Sequence, residues 1–287
     1  MEAIAPHLMT AVRAALRAGQ EIMTVYTHPE TDWEVERKAD NSPLTVADRR
    51  AHAAIAAALE ATPWPVLSEE GAHAAYEERA AWPALWIVDP LDGTKEFLKR
   101  NGEFTVNIAL VRAGAPVAGV LYVPARDVLY AGYTADAAGA GRALALRLAG
   151  DAARRAGSLE ALAAAADDLT RLRREPGRPG RVVASRSHMD AATQDWVARY
   201  RAAQSAGVEL CSAGSSLKFC LLATREADVY PRLAPTMEWD TAAGDAILRA
   251  AGGTTLRMEA DGTATGPLVY NEPDLHNPFF LAAAPAD

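Results

Sequence analysis

Apolar positions recur at helical spacing between Pro6 and Tyr26, where Leu8, Val12, Leu16, Ile22, Met23 and Tyr26 share one face of a predicted amphipathic helix. Alanine fills much of the remainder and favours the same state. A second helix is predicted over 46–59, launched by Thr45 with Asp48 three residues on, the pattern of a reciprocal cap. Short apolar runs then follow at 65–68, 85–89, 104–112, 116–123, 128–133 and 143–148. Gly114-Ala115-Pro116 and Pro124-Ala125-Arg126-Asp127 punctuate the middle runs, which predicts an antiparallel meander. Beyond residue 180, strands over 182–185, 208–211 and 229–232 alternate with helices at about 190–204, 215–223 and 240–251, the order of a βα lobe.

The pattern therefore divides the chain into an N-terminal α+β lobe over 1–150 and a C-terminal α/β lobe over 181–287. Between them, 151–180 is an Ala- and Arg-rich insertion or connection, and Arg171, Arg173 and Arg174 suit a solvated helix face. With 287 residues, half of them hydrophobic, the chain has enough apolar mass for a sizeable core. A formal charge of −8 disfavours a polyanion-binding face, so long nucleic acid is not an expected partner. Cys211 and Cys220 fit neither a disulfide framework nor a zinc site. No basic leader precedes an apolar core, and no apolar run approaches the roughly 20 residues that span a bilayer. A cytoplasmic monomer or homodimer is expected, with peripheral association at an inner membrane left open.

The chemistry concentrates where strands end. In Trp86-Ile87-Val88-Asp89-Pro90-Leu91-Asp92-Gly93-Thr94 an apolar run stops at two acids spaced i and i+3, with Pro90 and Gly93 fixing the bend. Val66-Leu67-Ser68-Glu69-Glu70-Gly71 repeats the design, and Met237-Glu238-Trp239-Asp240 places another acid at a helix start. Gathered in one cleft, Glu69, Asp89, Asp92 and Asp240 would repel one another unless cations intervened. Hard oxygen ligands select Mg2+, and paired ions about 3.5–4 Å apart clamp both oxygens of a phosphoryl displacement. His7, His28, His52, His73 and His276 show no metal-ligand spacing.

The segments W-I-V-D-P-L-D-G-T at 86–94 and W-D-T-A-A-G at 239–244 resemble the two signatures of the inositol monophosphatase superfamily. Asp40-Asn41-Ser42-Pro43-Leu44-Thr45-Val46-Ala47-Asp48, Lys95-Glu96-Phe97, Lys99-Arg100-Asn101-Gly102-Glu103-Phe104-Thr105 and Gly214-Ser215-Ser216-Leu217-Lys218-Phe219-Cys220 resemble its bacterial 3'(2'),5'-bisphosphate nucleotidases. The resemblance covers most of the chain but is weak over 72–83 and 134–180. It implies a layered αβαβα fold, mixed sheets sandwiched by helices. It also implies two or three Mg2+ held by Glu69, Asp89, the Leu91 carbonyl, Asp92 and Asp240, with Asp48 and Thr94 deprotonating a water for in-line attack. The implied reaction removes the 3'-phosphate of adenosine 3',5'-bisphosphate, with 3'-phosphoadenylyl sulfate as a further substrate, in a sulfur-assimilation setting. Lithium sensitivity is implied as well.

Substrate contacts are expected from Glu69, Asp92, Gly93, Thr94, Lys95 and Asp240 around the metals. For the nucleotide and its second phosphate they are expected from Ser185, His188, Gly214, Ser215, Ser216, Lys218 and Arg232, the glycine-serine loop offering helix N-terminal N–H groups to an anion. Simpler roles stand beside these: Asp48 completes the Thr45 cap, Asp240 caps the helix after Trp239, and Glu70 and Asp245 only support. The metal motifs do not name the leaving group, so an inositol or sugar monophosphatase is an alternative. A non-catalytic sensor of the bisphosphate is another, against which Asp48 and Thr94 argue.

Overall fold

The computed structural model describes residues 4–28, 33, 35–37, 43–135, 142–185, 191–204, 207–259 and 261–286. In chain order the helices are α1 (Ala5–Tyr26), α2 (Val46–Leu59), α3 (Tyr76–Arg79), α4 (Thr94–Leu98), α5 (Gly150–Arg155), α6 (Leu159–Ala164), α7 (Ala191–Ala202), α8 (Leu217–Ala223) and α9 (Ala242–Ala250). A small antiparallel ribbon pairs β1 (Glu36–Arg37) with β2 (Pro43–Leu44). The first large sheet runs in sequence order through β3 (Val66–Ser68), β4 (Ala84–Asp92), β5 (Thr105–Arg112), β6 (Ala115–Val123), β7 (Val128–Tyr133), β8 (Leu144–Ala149) and β9 (Asp167–Asp168). Its pairs are antiparallel except β3 with β4. The second sheet holds β10 (Gly180–Ser185), β11 (Val208–Ala213), β12 (Val229–Arg232), β13 (Thr254–Met258), β14 (Ala264–Pro267) and β15 (Phe280–Ala283), in the order β11-β10-β12-β15-β13-β14. Here β10 is parallel to β11 and β12, while the other pairs are antiparallel.

Five layers result. The pair α1 and α2 covers the outer face of the first sheet, α8 and α9 fill the space between the sheets, and α7 lies against β12 on the far side of the second. This is the αβαβα arrangement expected from the sequence. Alternation along the central strands divides the core accordingly: Trp86, Val88, Val106 and Ile108 face the α1/α2 side, whereas Leu85, Ile87, Ala109 and Val111 face inward. Because both faces are covered, β4 is buried from Ala84 to Leu91, and its first five residues, Ala84 to Val88, read as a continuous apolar run. Each large side chain buried here contributes roughly 1.5–3 kcal/mol relative to exposure.

Residues 150–171 continue the first sheet's surroundings. The helices α5 and α6 pack on α1, and β9 pairs with β8 at the sheet's edge. Among the described residues no helix is long and apolar enough to cross a membrane.

Candidate active site

The inward face of the first sheet carries the acids because of one irregularity in its register. Asp89 pairs with Asn107 and Asp92 with Thr105, so β4 spends three residues where β5 spends two. In a regular strand, positions i and i+3 point to opposite faces. The extra residue of this bulge returns Asp92 to the face already occupied by Asp89. The chain then turns at Gly93, whose φ of +92° suits a residue without a side chain, and its carbonyl accepts the first bond of α4 from the Phe97 N–H at 2.9 Å.

Across the gap, the 3-10 turn Glu238–Asp240 leads into α9 and delivers Asp240 from the other side. Ligand oxygens of Asp89, Asp92 and Asp240 lie within 4.8 Å of one another. Glu69 follows β3, whose parallel pairing with β4 continues through the Glu69 N–H to the Val88 carbonyl at 3.0 Å, and it lines the same cavity of about 260 Å³. Burial, and then the charges of Glu69, Asp92 and Asp240, push the Asp89 carboxyl well above the usual carboxylate range. Burial followed by the Asp92 charge pushes Asp240 up to about 8. Carboxylates gathered at such a cost are a donor set that divalent cations fit, because a cation removes the penalty that raises both values.

Asp48 sits at the start of α2 and serves two partners with its two oxygens. Oδ2 accepts from the Thr45 N–H at 2.7 Å and its hydroxyl at 2.6 Å, completing the cap, while Oδ1 accepts from the Thr94 hydroxyl at 3.2 Å. The capping role and the contact to Thr94 coexist. Asp240 also commits one oxygen locally, but not as a cap of the helix after Trp239: its Oδ2 accepts from the Met237 N–H at 2.9 Å and closes its own 3-10 turn, while Thr241 is the N-cap of α9. Leu91 is buried at the cavity, its N–H donating to Asp89 Oδ1 at 3.0 Å and its carbonyl accepting from Thr94 at 3.4 Å.

The remaining expected contacts spread along the cavity. Gly93, exposed Lys95, Gly214, Ser215, Ser216, Lys218 and Arg232 all line it. Two donors of the glycine-serine loop are engaged within the protein: the Gly214 N–H donates to Glu103 Oε2 at 2.9 Å, and the Ser216 hydroxyl lies 2.6 Å from Asp92 Oδ2 and 2.5 Å from the Asp240 carbonyl. Lys218 bonds the Ser215 carbonyl, stands over the Tyr230 ring at 5.4 Å, and is pushed down to about 8 by burial. Arg232 is held at the end of β12 by donation to the Ala234 and Pro235 carbonyls at 3.1 and 2.8 Å. Ser185 closes β10 beside Ala213. His188 lies outside the described residues, as do Arg186, Ser187 and the 40–42 part of the first motif. Asp245 does not line the cavity; it is buried against Arg249 at 2.9 Å and the Tyr270 hydroxyl at 2.9 Å.

Three site residues escaped the sequence reading. Asn107 projects from β5 beside Asp92, Glu103 holds the glycine-serine loop, and Ser68 joins its hydroxyl to His52 at 2.9 Å while its carbonyl meets His73 at 2.9 Å, fixing the approach to Glu69. The one available signal was strand alternation, which places Asn107 and Thr105 on the face of Ala109 and Val111.

Residues 4–284 match the inositol monophosphatase family. The 3'(2'),5'-bisphosphate nucleotidase CysQ of Escherichia coli K12 is 42% identical over 244 residues, covering 83% of this chain and 85% of the relative. The CysQ of Haemophilus influenzae is 30% identical, covering 96% and 92%. The crystal structure of CysQ from Bacteroides thetaiotaomicron superposes with a TM-score of 0.84 at 45% identity, covering 99% of this chain and 98% of that one. An inositol monophosphatase from Zymomonas mobilis, at 21% identity and a TM-score of 0.68 over 99% and 95%, shares the fold. By a match spanning nearly its full length, the chain belongs to the inositol monophosphatase family.

Proposed function

We propose that this chain is a Mg2+-dependent 3'(2'),5'-bisphosphate nucleotidase that removes the 3'-phosphate of adenosine 3',5'-bisphosphate, leaving AMP and phosphate. The observation that carries the reading is the convergence of Asp89, Asp92 and Asp240 within 4.8 Å in a chain 42% and 45% identical to the CysQ proteins of Escherichia coli and Bacteroides thetaiotaomicron. A sulfur-metabolic role follows from that substrate, and 3'-phosphoadenylyl sulfate, bearing the same 3'-phosphate, is the second substrate.

Glu69, Asp89, the Leu91 carbonyl, Asp92 and Asp240 hold the cations. When bound, these supply charge neutralisation for the carboxylates and phosphate and make a water more acidic. The protein's own part is positional. Asp48 is 1% exposed and accepts from three donors, so its Oδ1 is placed to take the Thr94 proton and leave the Thr94 oxygen turned to take a proton from the attacking water. The Gly93-Thr94 backbone at the start of α4 presents N–H groups toward the equatorial phosphate oxygens. Lys95, Lys218 and Arg232 supply positive charge along the cavity for a second phosphate.

The test is phosphate release by the purified chain from adenosine 3',5'-bisphosphate, 3'-phosphoadenylyl sulfate and inositol 1-phosphate at matched Mg2+. Faster turnover of the two nucleotides is expected. Inositol phosphate turned over as fast or faster would replace the substrate assignment with a monophosphatase.

A further inference from the structure

Asn107 is an amide 1% exposed at the floor of the acidic cluster, and every one of its hydrogen-bonding groups is accounted for. Its Nδ2 donates to Asp92 Oδ2 at 3.3 Å and to Ser216 Oγ at 2.9 Å, and its Oδ1 accepts from the Thr105 hydroxyl at 2.9 Å. Turning the amide over would set Oδ1 against the Asp92 carboxylate, acceptor against acceptor, so the network fixes its orientation. Ser216, 2% exposed, accepts from Asn107 and passes its single proton to either Asp92 Oδ2 at 2.6 Å or the Asp240 carbonyl at 2.5 Å. Thr105, Asn107 and Asp92 belong to the first sheet, Ser216 to the loop that follows β11 of the second, and Asp240 to the turn before α9.

The geometry points to Asn107 and Ser216 as a positioning pair that sets Asp92 at a fixed distance from Asp240 across the two sheets, so that cation affinity depends on neutral side chains that are not themselves cation ligands. The inference rests on the cation site of the proposed function, but not on the identity of the nucleotide. A ligand carboxylate held by a neutral donor loses rotational freedom before the cation arrives, and removal of such partners costs ~10–100-fold in metal affinity.

The experiment uses the full chain stripped with EDTA and titrated with Mg2+, the thermal midpoint being read at each concentration. Wild type gives a rise that follows RT ln(1 + c/Kd), with c the free Mg2+ concentration, and its half-point, the concentration that half-saturates the site, reports the affinity. Asn107→Leu and Ser216→Ala are each expected to shift that half-point to ~10–100-fold higher Mg2+. Thr105→Val, which unlocks the amide while leaving it in place, is expected to shift it by less. A purely structural role would lower the EDTA midpoint and leave the Mg2+ half-point where it is, and that result in either folded variant overturns the inference. Should Asn107→Leu fail to fold, Ser216→Ala, which deletes one oxygen, decides alone. A wild-type chain that Mg2+ does not stabilise would instead remove the cation site itself.

Discussion

Adding one methyl at Gly119 should damage both stability and activity, although the residue lies outside the cavity. Gly119 is in β6, flanked in register by Ala109 and Gly132, and these small residues form the floor on which α9 rests. A Cβ at Gly119 would stand 2.4 Å from the Ala243 carbonyl oxygen and 3.0 Å from the Ala246 Cβ. Ordinary carbon-to-oxygen contact needs about 3.3 Å, so roughly 1 Å of separation must be found. The strand is hydrogen-bonded on both sides and buried, leaving α9 to move. Overpacking of this kind costs ~1–3 kcal/mol, about 2–5 °C in thermal midpoint for a chain of this size. Because α9 begins two residues after Asp240, a shift of that order also misplaces a cation ligand, for which ~100-fold in rate is the expected scale. Thermal unfolding and phosphate release of Gly119→Ala check both parts. Gly157→Ala is the control, since its Cβ meets nothing within 4 Å, and it should be neutral or stabilising by up to ~1 kcal/mol. Gly119→Ala with wild-type midpoint and rate would refute the close packing of α9 on β6.

Asp48→Asn should lower phosphate release by ~10²–10⁴-fold while the Mg2+ half-point in thermal unfolding stays near wild type; equal turnover would remove Asp48 as the proton acceptor. Asp228 accepts two bonds at 2.7 Å from the buried Arg178, one at 3.1 Å from Arg174, and one at 2.6 Å from the Arg181 N–H. Asp228→Asn therefore leaves the buried Arg178 guanidinium without its counter-charge and should cost ~3–5 kcal/mol in urea unfolding. These donors hold the Asp228 carboxyl below its usual range despite burial, so its stabilisation is present above the unfolded value near 3.9 and is lost as pH falls through the lower folded value. Acid titration of stability should accordingly be shallower below about pH 4 in Asp228→Asn than in wild type.

Much of this architecture is legible in the chain because local signals and tertiary context agree. Pro6 and the apolar stripe of α1, the Thr45-Asp48 cap of α2, and the glycine- and proline-punctuated meander all specify one answer. The acid motifs are legible for the same reason, each sitting where a buried run stops. The strands β13, β14 and β15 were not read, since Thr254–Met258 follows two glycines, β14 contains Gly266 and Pro267, and β15 offers four residues; their pairing is long-range and leaves little local trace. The short α4 is likewise set by the turn at Gly93 rather than by periodicity. Asn107 stayed hidden because its role depends on the bulge that brings Asp92 to its side, a feature of register that a single strand's sequence does not encode.

Anomalous diffraction from crystals of the chain grown with Mn2+ in place of Mg2+ addresses the convergence of these acids most directly. The expected result is one or more manganese peaks within roughly 2.0–2.3 Å of carboxylate oxygens from both Asp89 or Asp92 and Asp240, joining the two halves of the cleft. Manganese absent from that cavity at saturating concentration, with the three carboxyl groups left uncoordinated, would contradict the account.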